Sequence, residues 1–438
     1  MQDELPYLIN DADNHFVEPL DMYERYIEPR WRDKAVRFVT DDMGRKALFY
    51  GGRPSATALT RDSVPQNDED LQRLAASAAA AAVSAEVGSA PKPGDGTARA
   101  PGMFLHKLNP YEGLDEAGRR ALIEKFRDQE ESWGNRDLRL ALMDEQGINA
   151  AVMFPGIVLT LEVEFQDDVD AIYANTRAFN RWIYDQIGYK HQNRIFLPPY
   201  ISLADVDLAV VEVERVIDEG APLVLFLPGH AHGGRDNTRG GRSIADPHFD
   251  PVWARINEAG VRVATHLAPT DYAKYGADWS EDPDAVLRDF DGLQWVLFWG
   301  DRPAMETVAG MIMHNLFGRF PNLHVLIAEQ GTVWLPYILR KLDHAHAMGR
   351  GAKWGNLDRR PREIFRDHFI VPPFPEENVQ RVVQEVGIEP IVFGSDFPHG
   401  EGLAYPRQYV GAQLQGMDAH DVAAIMRDNL ARFLGLPV

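Results

Sequence analysis

Within the first twenty residues an apolar approach runs into a cluster of acids and one imidazole: Asp11, Asp13, His15 and Glu18, closed by Pro19. Side chains two apart on a β-strand share a face, so a strand here would project Asp13 and His15 together from its end. A carboxylate beside an imidazole is the pairing that divalent-cation chelation requires. A turn of acids leading into a helix near Pro19 is the competing reading of these residues alone.

Three further apolar runs end in ligand-type side chains. The run over 261–266 ends at His266, that over 323–328 stops at Glu329, and that over 391–393 leads through Gly394 and Ser395 to Asp396 and His399. Each has an ordinary explanation: His266 as a hydrogen-bonded core histidine, Asp396 as the cap of the turn before Pro398. Four independent termini are hard to attribute to packing, because carboxylates buried together without a cation are costly. Together they offer the imidazoles of His15 and His266, two ligand-grade carboxylates and a third carboxylate, the makings of a mononuclear divalent site with an adjacent acid or base. Other histidines compete. His230 and His232 follow a fourth apolar run and either line the site or belong to a polar loop. His344 and His346 stand two apart on an expected helix and so face different ways. His314 reads as structural, and His399 as a partner of Asp396 or a substrate contact.

The elements that must position these groups alternate regularly. Buried-strand patterns occur at 148–154, 195–201, 223–227, 261–266, 323–328, 368–371 and 391–393, with helical patterns over 136–145, 169–189, 205–219, 251–259, 304–320, 335–346 and 377–386 between most of them. With the opening strand that makes eight. Continuous apolar strands alternating with helices imply a parallel sheet buried on both faces, and eight such units imply a closed barrel. A doubly wound nucleotide fold is the rival, but it requires a glycine-rich phosphate turn, and neither GxGxxG nor a Walker sequence is present. An amphipathic helix over 418–434 closes the chain. Residues 51–126 break the rhythm with an alanine-rich stretch at 75–82 and a Pro/Gly-rich one at 91–96, the composition of an insertion, an arm or lid on one 1–438 barrel domain.

Composition narrows the partners. Forty-five Lys and Arg against 66 Asp and Glu leave a formal charge of −21, the wrong sign for a nucleic acid backbone or an anionic membrane surface. There is no cysteine, so a metal must be held by His, Asp and Glu. No signal pattern opens the chain and no run of about 18 apolar residues occurs. The expectation is a cytoplasmic enzyme with a small-molecule substrate.

The spaced set Asp11, Asp13, His15, Glu18 and Pro19, the stretch from Phe320 and Pro321 to Glu329, Gly331, Trp334 and Pro336, and the run from Phe393 to His399 resemble the amidohydrolase-related family. That family comprises metal-dependent hydrolases and non-oxidative decarboxylases acting on aminocarboxymuconate semialdehyde, resorcylate or carboxyvanillate. The resemblance implies a distorted (β/α)8 TIM barrel with one divalent metal, zinc or manganese, held by Asp13, His15, His266 and Asp396. Asp13 stands where the family has histidine or glutamate, which hardens the site toward manganese, iron or zinc. Glu329 stands where the decarboxylases usually carry a histidine. A carboxylate there can act as base, and it could also reach a second metal.

Three functions are then in contention. In the first, a hydrolase, Asp396 or Glu329 takes the proton of a metal-activated water while His399 or His266 steadies the developing charge. In the second, a decarboxylase, a neighbouring acid protonates carbon. The third is oxygen activation at two metals. Trp299, Arg302 and His232 are the expected substrate contacts, with Arg235, Trp295 and Trp334 as further wall residues, and a homo-oligomer, a dimer, is the expected assembly. Hydrolysis ranks first.

Overall fold

Each turn of the fold is set by a local signal. Asn135 Oδ1 accepts from the backbone of Asp137 and Leu138, which starts the helix Arg136–Gln146. Gly147, at φ 72°, ends it and turns the chain into the strand Ile148–Phe154. Asp168 and Asp205 cap the helices Val169–Ile187 and Val206–Asp218 in the same way. The structure is a computed structural model that describes residues 5–19, 21–40, 46–57, 100–231, 241–270, 272–279, 290–298, 300–349 and 351–438.

The barrel strands are β1 (Ile9–His15), β2 (Ile148–Phe154), β3 (Ile195–Phe196), β4 (Leu223–Phe226), β5 (Arg262–His266), β6 (Val325–Ala328) and β7 (Phe369–Ile370). Parallel ladders join β1 to β2 to β3, and separately β4 to β5 to β6 to β7. Two seams close the ring. On one side Tyr200 bridges to Leu225, linking the β3 and β4 staves. On the other, residues 391–397 serve as the eighth stave: Val371 bridges to Ile391, Ala12 N donates to Phe393 O at 2.8 Å, and Asn14 bridges to Phe397. The result is the distorted (β/α)8 barrel, its eighth stave held by scattered bonds rather than a regular ladder. Both faces of the strands are covered, so β4 and β6 are uniformly apolar and buried. Each such Leu, Ile, Val or Phe contributes about 1.5–3 kcal/mol by leaving water.

The expected helices form with small changes of boundary. The pattern over 304–320 is two helices, Asp301–Met313 and Leu316–Arg319, with His314 at the junction, and the closing pattern contains a π-helical turn at Ala424–Asp428. Among the described residues no helix is long and apolar enough to cross a membrane.

The described ends of the insertion sit over loops that follow barrel strands. Before it, an antiparallel sheet of Val36–Thr40, Lys46–Tyr50 and Arg53–Pro54 leads to Ala56 and Thr57, whose backbone N–H groups donate to the Glu164 carboxylate at 3.0 and 2.9 Å. After it, Phe104 N donates to Gly400 O at 2.8 Å, and Ala100, Tyr111 and Phe126 pack with Ala404. Both anchor points lie beyond strand ends, β2 in one case and the eighth stave in the other. The stretch 75–96, expected as arm or lid, lies outside the described residues.

Candidate metal centre

β1 is buried along its whole length and gripped from both sides. Its ladder to β2 shifts register between Asp11 and Asn14, and on the opposite edge Asp13 O accepts from Ser395 N and Asp396 N, while His15 N donates to Phe397 O. The three acids of the opening motif therefore meet different neighbours. Asp11 accepts from Ser395 N at 2.9 Å, Ser395 Oγ at 2.6 Å and Asn14 Nδ2 at 2.9 Å, which satisfies its carboxylate and leaves it as a fastener between β1 and the eighth stave. Glu18 accepts from Gly156 N and Ile157 N at 3.1 Å and fixes the loop after β2. Asp13 alone keeps a buried oxygen, Oδ1, with no hydrogen-bond partner.

That oxygen faces the ends of β5 and β6. His266 Nδ1 is 2.7 Å from Leu267 O, which orients the ring so that Nε2 points inward, 3.6 Å from Asp13 Oδ1 and 2.8 Å from Glu329 Oε2. His15 Nε2 is 2.9 Å from Asp396 Oδ1, 3.5 Å from Glu329 Oε2 and 4.0 Å from Asp13 Oδ1. His399 Nδ1 closes on Asp396 Oδ1 at 2.7 Å, and its ring lies 3.8 Å from that of His15. Glu329 and Asp396 adopt left-handed backbone, at φ 51° and 54°. Such strain costs about 1–3 kcal/mol per residue and persists only where surrounding structure enforces it.

These atoms fit a cation. Metal–ligand bonds of about 2.0–2.2 Å place neighbouring donors about 3–4 Å apart. Asp13, His15, His266 and Glu329 each bring a donor atom to within 4.8 Å of the others, as do His15, Glu329, Asp396 and His399. Asp13 Oδ1, His266 Nε2 and Glu329 Oε2 are buried and without hydrogen-bond partners, a costly arrangement for an empty polar pocket and an ordinary one for ligands. Asp13, His15 and His266 of the four expected ligands converge with Glu329, expected as the adjacent base, and the fourth, Asp396, joins the overlapping set of His15, Glu329 and His399.

The Amidohydro_2 family model, described as Amidohydrolase, matches residues 106–436. The chain belongs to the amidohydrolase family. It is thereby a metal-dependent enzyme. A crystal structure of the amidohydrolase map2389c from Mycobacterium avium subsp. paratuberculosis K-10 is similar over 99% of this chain and 100% of that one, with 30% identity and a TM-score of 0.77. The 2,6-dihydroxybenzoate decarboxylase from Rhizobium shares 20% identity over 71% of this chain and 92% of its own, with a TM-score of 0.56. The 5-carboxyvanillate decarboxylase from Novosphingobium aromaticivorans, complexed with manganese, shares 16% over 98% and 97%, with a TM-score of 0.54. The two decarboxylases share the fold with this chain. No curated protein matches it.

Charge in this amidohydrolase site is strongly organised. Burial pushes the Asp13 carboxyl up. Burial acts the same way on Glu329, but the imidazoles of His266, His15 and His399 outweigh it and hold Glu329 well below the usual carboxylate range. Burial lowers His266 and His399, yet the carboxylates prevail: Glu329 and Asp13 raise His266 well above its ordinary value, and Asp396 lifts His399 to about 9. Without a cation, protons on the imidazoles supply the positive charge that the carboxylates demand. A divalent ion would take their place.

The remaining expected residues fall elsewhere or outside the described set. Arg302 lies over the Tyr275 ring at 4.3 Å and 3.6 Å from Glu306, and among the described residues nothing ties it to the carboxylates of the site. His232, Arg235 and Trp299 lie outside the described residues. Trp334 donates to Gln330 O and Gly331 O and is core. His230 stacks at 4.9 Å on Tyr272. His346 is buried while His344 is exposed, as their spacing requires.

Arg139 escaped the sequence reading. It comes from the helix Arg136–Gln146, is fully buried, donates to Asn14 Oδ1 and to His15 O, and lies 5.0 Å over the Phe397 ring. Burial lowers its pKa to about 10, so it remains a cation at neutral pH behind the metal-binding end of β1. An arginine on an amphipathic helix carries no sequence mark of such burial. Ser395, the partner of Asp11, was visible only as part of the eighth-strand motif.

Proposed function

We infer that this amidohydrolase hydrolyses a C–N or C–O bond in a small organic substrate. When bound, a divalent cation supplies Lewis acidity, lowering the pKa of water toward neutrality and polarising a carbonyl. The chain's own part is to accept the water's proton and to hold the reacting groups in place. Asp396 and Glu329 are the acceptors within reach, each bearing two oxygens, so that one can orient while the other takes a proton. Arg139 and Asp11 hold the β1 end from behind, and His399 fixes Asp396 from the solvent side through the 2.7 Å contact.

The observation that carries this reading is Glu329. Decarboxylation needs a proton delivered to carbon, and Glu329, whose Oε2 lies 2.8 Å from His266 Nε2 and 3.5 Å from His15 Nε2 at the cation site, is placed as a carboxylate acceptor rather than as a donor. Hydrolysis needs that base. The decarboxylase alternative would depend on His399 as donor, because His15 and His266 point their Nε2 atoms into the ligand cluster.

Product analysis of the metal-loaded enzyme against a panel of small amides, esters, lactones and aromatic acids tests the reading. Hydrolysis of at least one neutral class, lost in Glu329→Gln or Asp396→Asn, is expected. Carbon dioxide release from the acids with no hydrolysis of the rest would reverse the assignment.

A further inference from the structure

Glu329 reaches the ligand cluster through a sharply bent turn. Its own φ is 51° and that of Gly331 is 57°, both left-handed, so the chain folds back as it leaves β6. A non-glycine residue keeps such a conformation only where surrounding structure grips the turn. Trp334 Nε1 donates to Gln330 O and Gly331 O, both at 2.9 Å, but Trp334 belongs to the same loop and moves with it. Two other grips reach outside that loop. Gln330 Nε2 donates to Gly300 O at 3.1 Å, and the Glu377 carboxylate accepts from Thr332 N at 2.9 and 3.0 Å, one distance to each oxygen, and from Thr332 Oγ1.

We propose that Glu377, on the loop after β7, is the positioning residue that aims the Glu329 carboxylate into the ligand cluster, acting through its clasp on Thr332. The inference rests on the metal-dependent reading of the same site. Three observations support it. The two loops meet closely, since a β-carbon at Gly331 would collide with the Glu377 carboxylate and the Phe374 ring, so the turn after Glu329 lies directly against the loop that carries Glu377. Glu377 is itself held: its backbone N donates to Phe374 O at 3.1 Å, and the next residue, Asn378, caps the helix Val379–Val386. The charge is also kept there against desolvation. Burial pushes the Glu377 carboxyl up while the bonds from Thr332 pull it back, a penalty that an apolar side chain filling the same space would avoid.

The neighbouring acid has a different task. Glu376 Oε1 accepts from His106 N and, at 3.3 Å, from Lys107 N, so it fastens the returning end of the insertion rather than the loop after β6. Two adjacent carboxylates on one turn thus hold two different segments, and only Glu377 acts on Glu329. Its effect passes along three residues, from Thr332 through the left-handed turn to the Glu329 carboxylate, whose Oε2 lies 2.8 Å from His266 Nε2.

The test compares the two acids in chelator-stripped full-length protein. Isothermal titration measures Mn²⁺ affinity, the visible absorption of the Co²⁺-loaded protein reports ligand geometry, and thermal unfolding of the metal-free form reports the fold. Glu377→Ala and Thr332→Val are expected to weaken Mn²⁺ binding about 10–100-fold, as loss of an orienting partner does, and to change the Co²⁺ spectrum. Glu377→Gln, whose amide can accept from Thr332 N and donate to Thr332 Oγ1, should return affinity to within about threefold of wild type, and Glu376→Ala should stay within that range. Wild-type affinity and spectrum in both Glu377→Ala and Thr332→Val, or an equal loss in Glu376→Ala, overturns the assignment and leaves the metal-dependent reading standing. No tight Mn²⁺ binding by wild type overturns that reading itself. Should Glu377→Ala fail to fold, Thr332→Val decides alone.

Discussion

Gly394 offers a perturbation that moves the site without replacing a ligand. It lies on the eighth stave, and a β-carbon placed there would sit 2.7 Å from Asp13 Cβ and 2.8 Å from Pro372 Cβ. Ordinary carbon–carbon contact begins near 3.5 Å, so Gly394→Ala requires a displacement of about 0.7–0.8 Å. Neither neighbour can rotate away, since a β-carbon is fixed to its backbone and Pro372 is a ring. The backbone of β1 or of the eighth stave must therefore move. Overpacking of this kind costs about 1–3 kcal/mol of stability. The effect on metal binding should be the larger one. The pushed strand carries Asp13 and His15, the pushing stave carries Asp396, and metal–ligand distances tolerate about 0.2 Å. A shift several times that size should weaken metal binding by at least the roughly 10–100-fold seen when orienting partners are lost. Isothermal titration of chelator-stripped protein with Mn²⁺, beside thermal unfolding of the metal-free form, measures both. Metal affinity within about threefold of wild type, at any change in stability, would refute the claim that contact between β1 and the eighth stave sets the spacing of the ligands.

His266→Ala should strongly lower bound metal and, with it, the stabilisation that a ligand bound only by the folded state confers. His344→Ala, on the exposed face of its helix, should leave metal content and melting temperature unchanged, so equal retention in the two variants would count against the site. Stability should also respond to pH differently with and without metal. His399 is raised from 6.5 to about 9 in the metal-free fold, so its contribution is full below pH 6.5 and is lost as pH rises through about 9; His266 shifts in the same direction. The metal-loaded protein, with those imidazoles neutral and ligating, should not lose stability across that window, and coincident pH profiles of melting temperature for the two forms would contradict the assignment.

What the sequence determined by itself is whatever depends on near neighbours. Eight apolar runs, the Asn135, Asp168 and Asp205 caps, and Gly147 are read within a few residues of one another, and they suffice for a parallel barrel because parallel strands covered on both faces leave an uninterrupted apolar signature. The ends of those runs likewise named Asp13, His15, His266, Glu329 and Asp396, since a barrel gathers its strand ends on one face. Which acid does what was decided only by tertiary contacts. Asp11 and Asp13 are alike in type and two apart, yet Asp11 is saturated by Ser395, 384 residues away, while Asp13 Oδ1 is left open. Glu329 stands among the ligand-type atoms rather than beside them because β6 places its oxygen 2.8 Å from His266 Nε2. Arg139 became a buried cation behind the site, and Arg302 went to Tyr275 and Glu306. A residue's type limits the bonds it can form, but whether a buried polar atom finds its partner or stays free for a metal is settled by groups that the chain brings from hundreds of residues away.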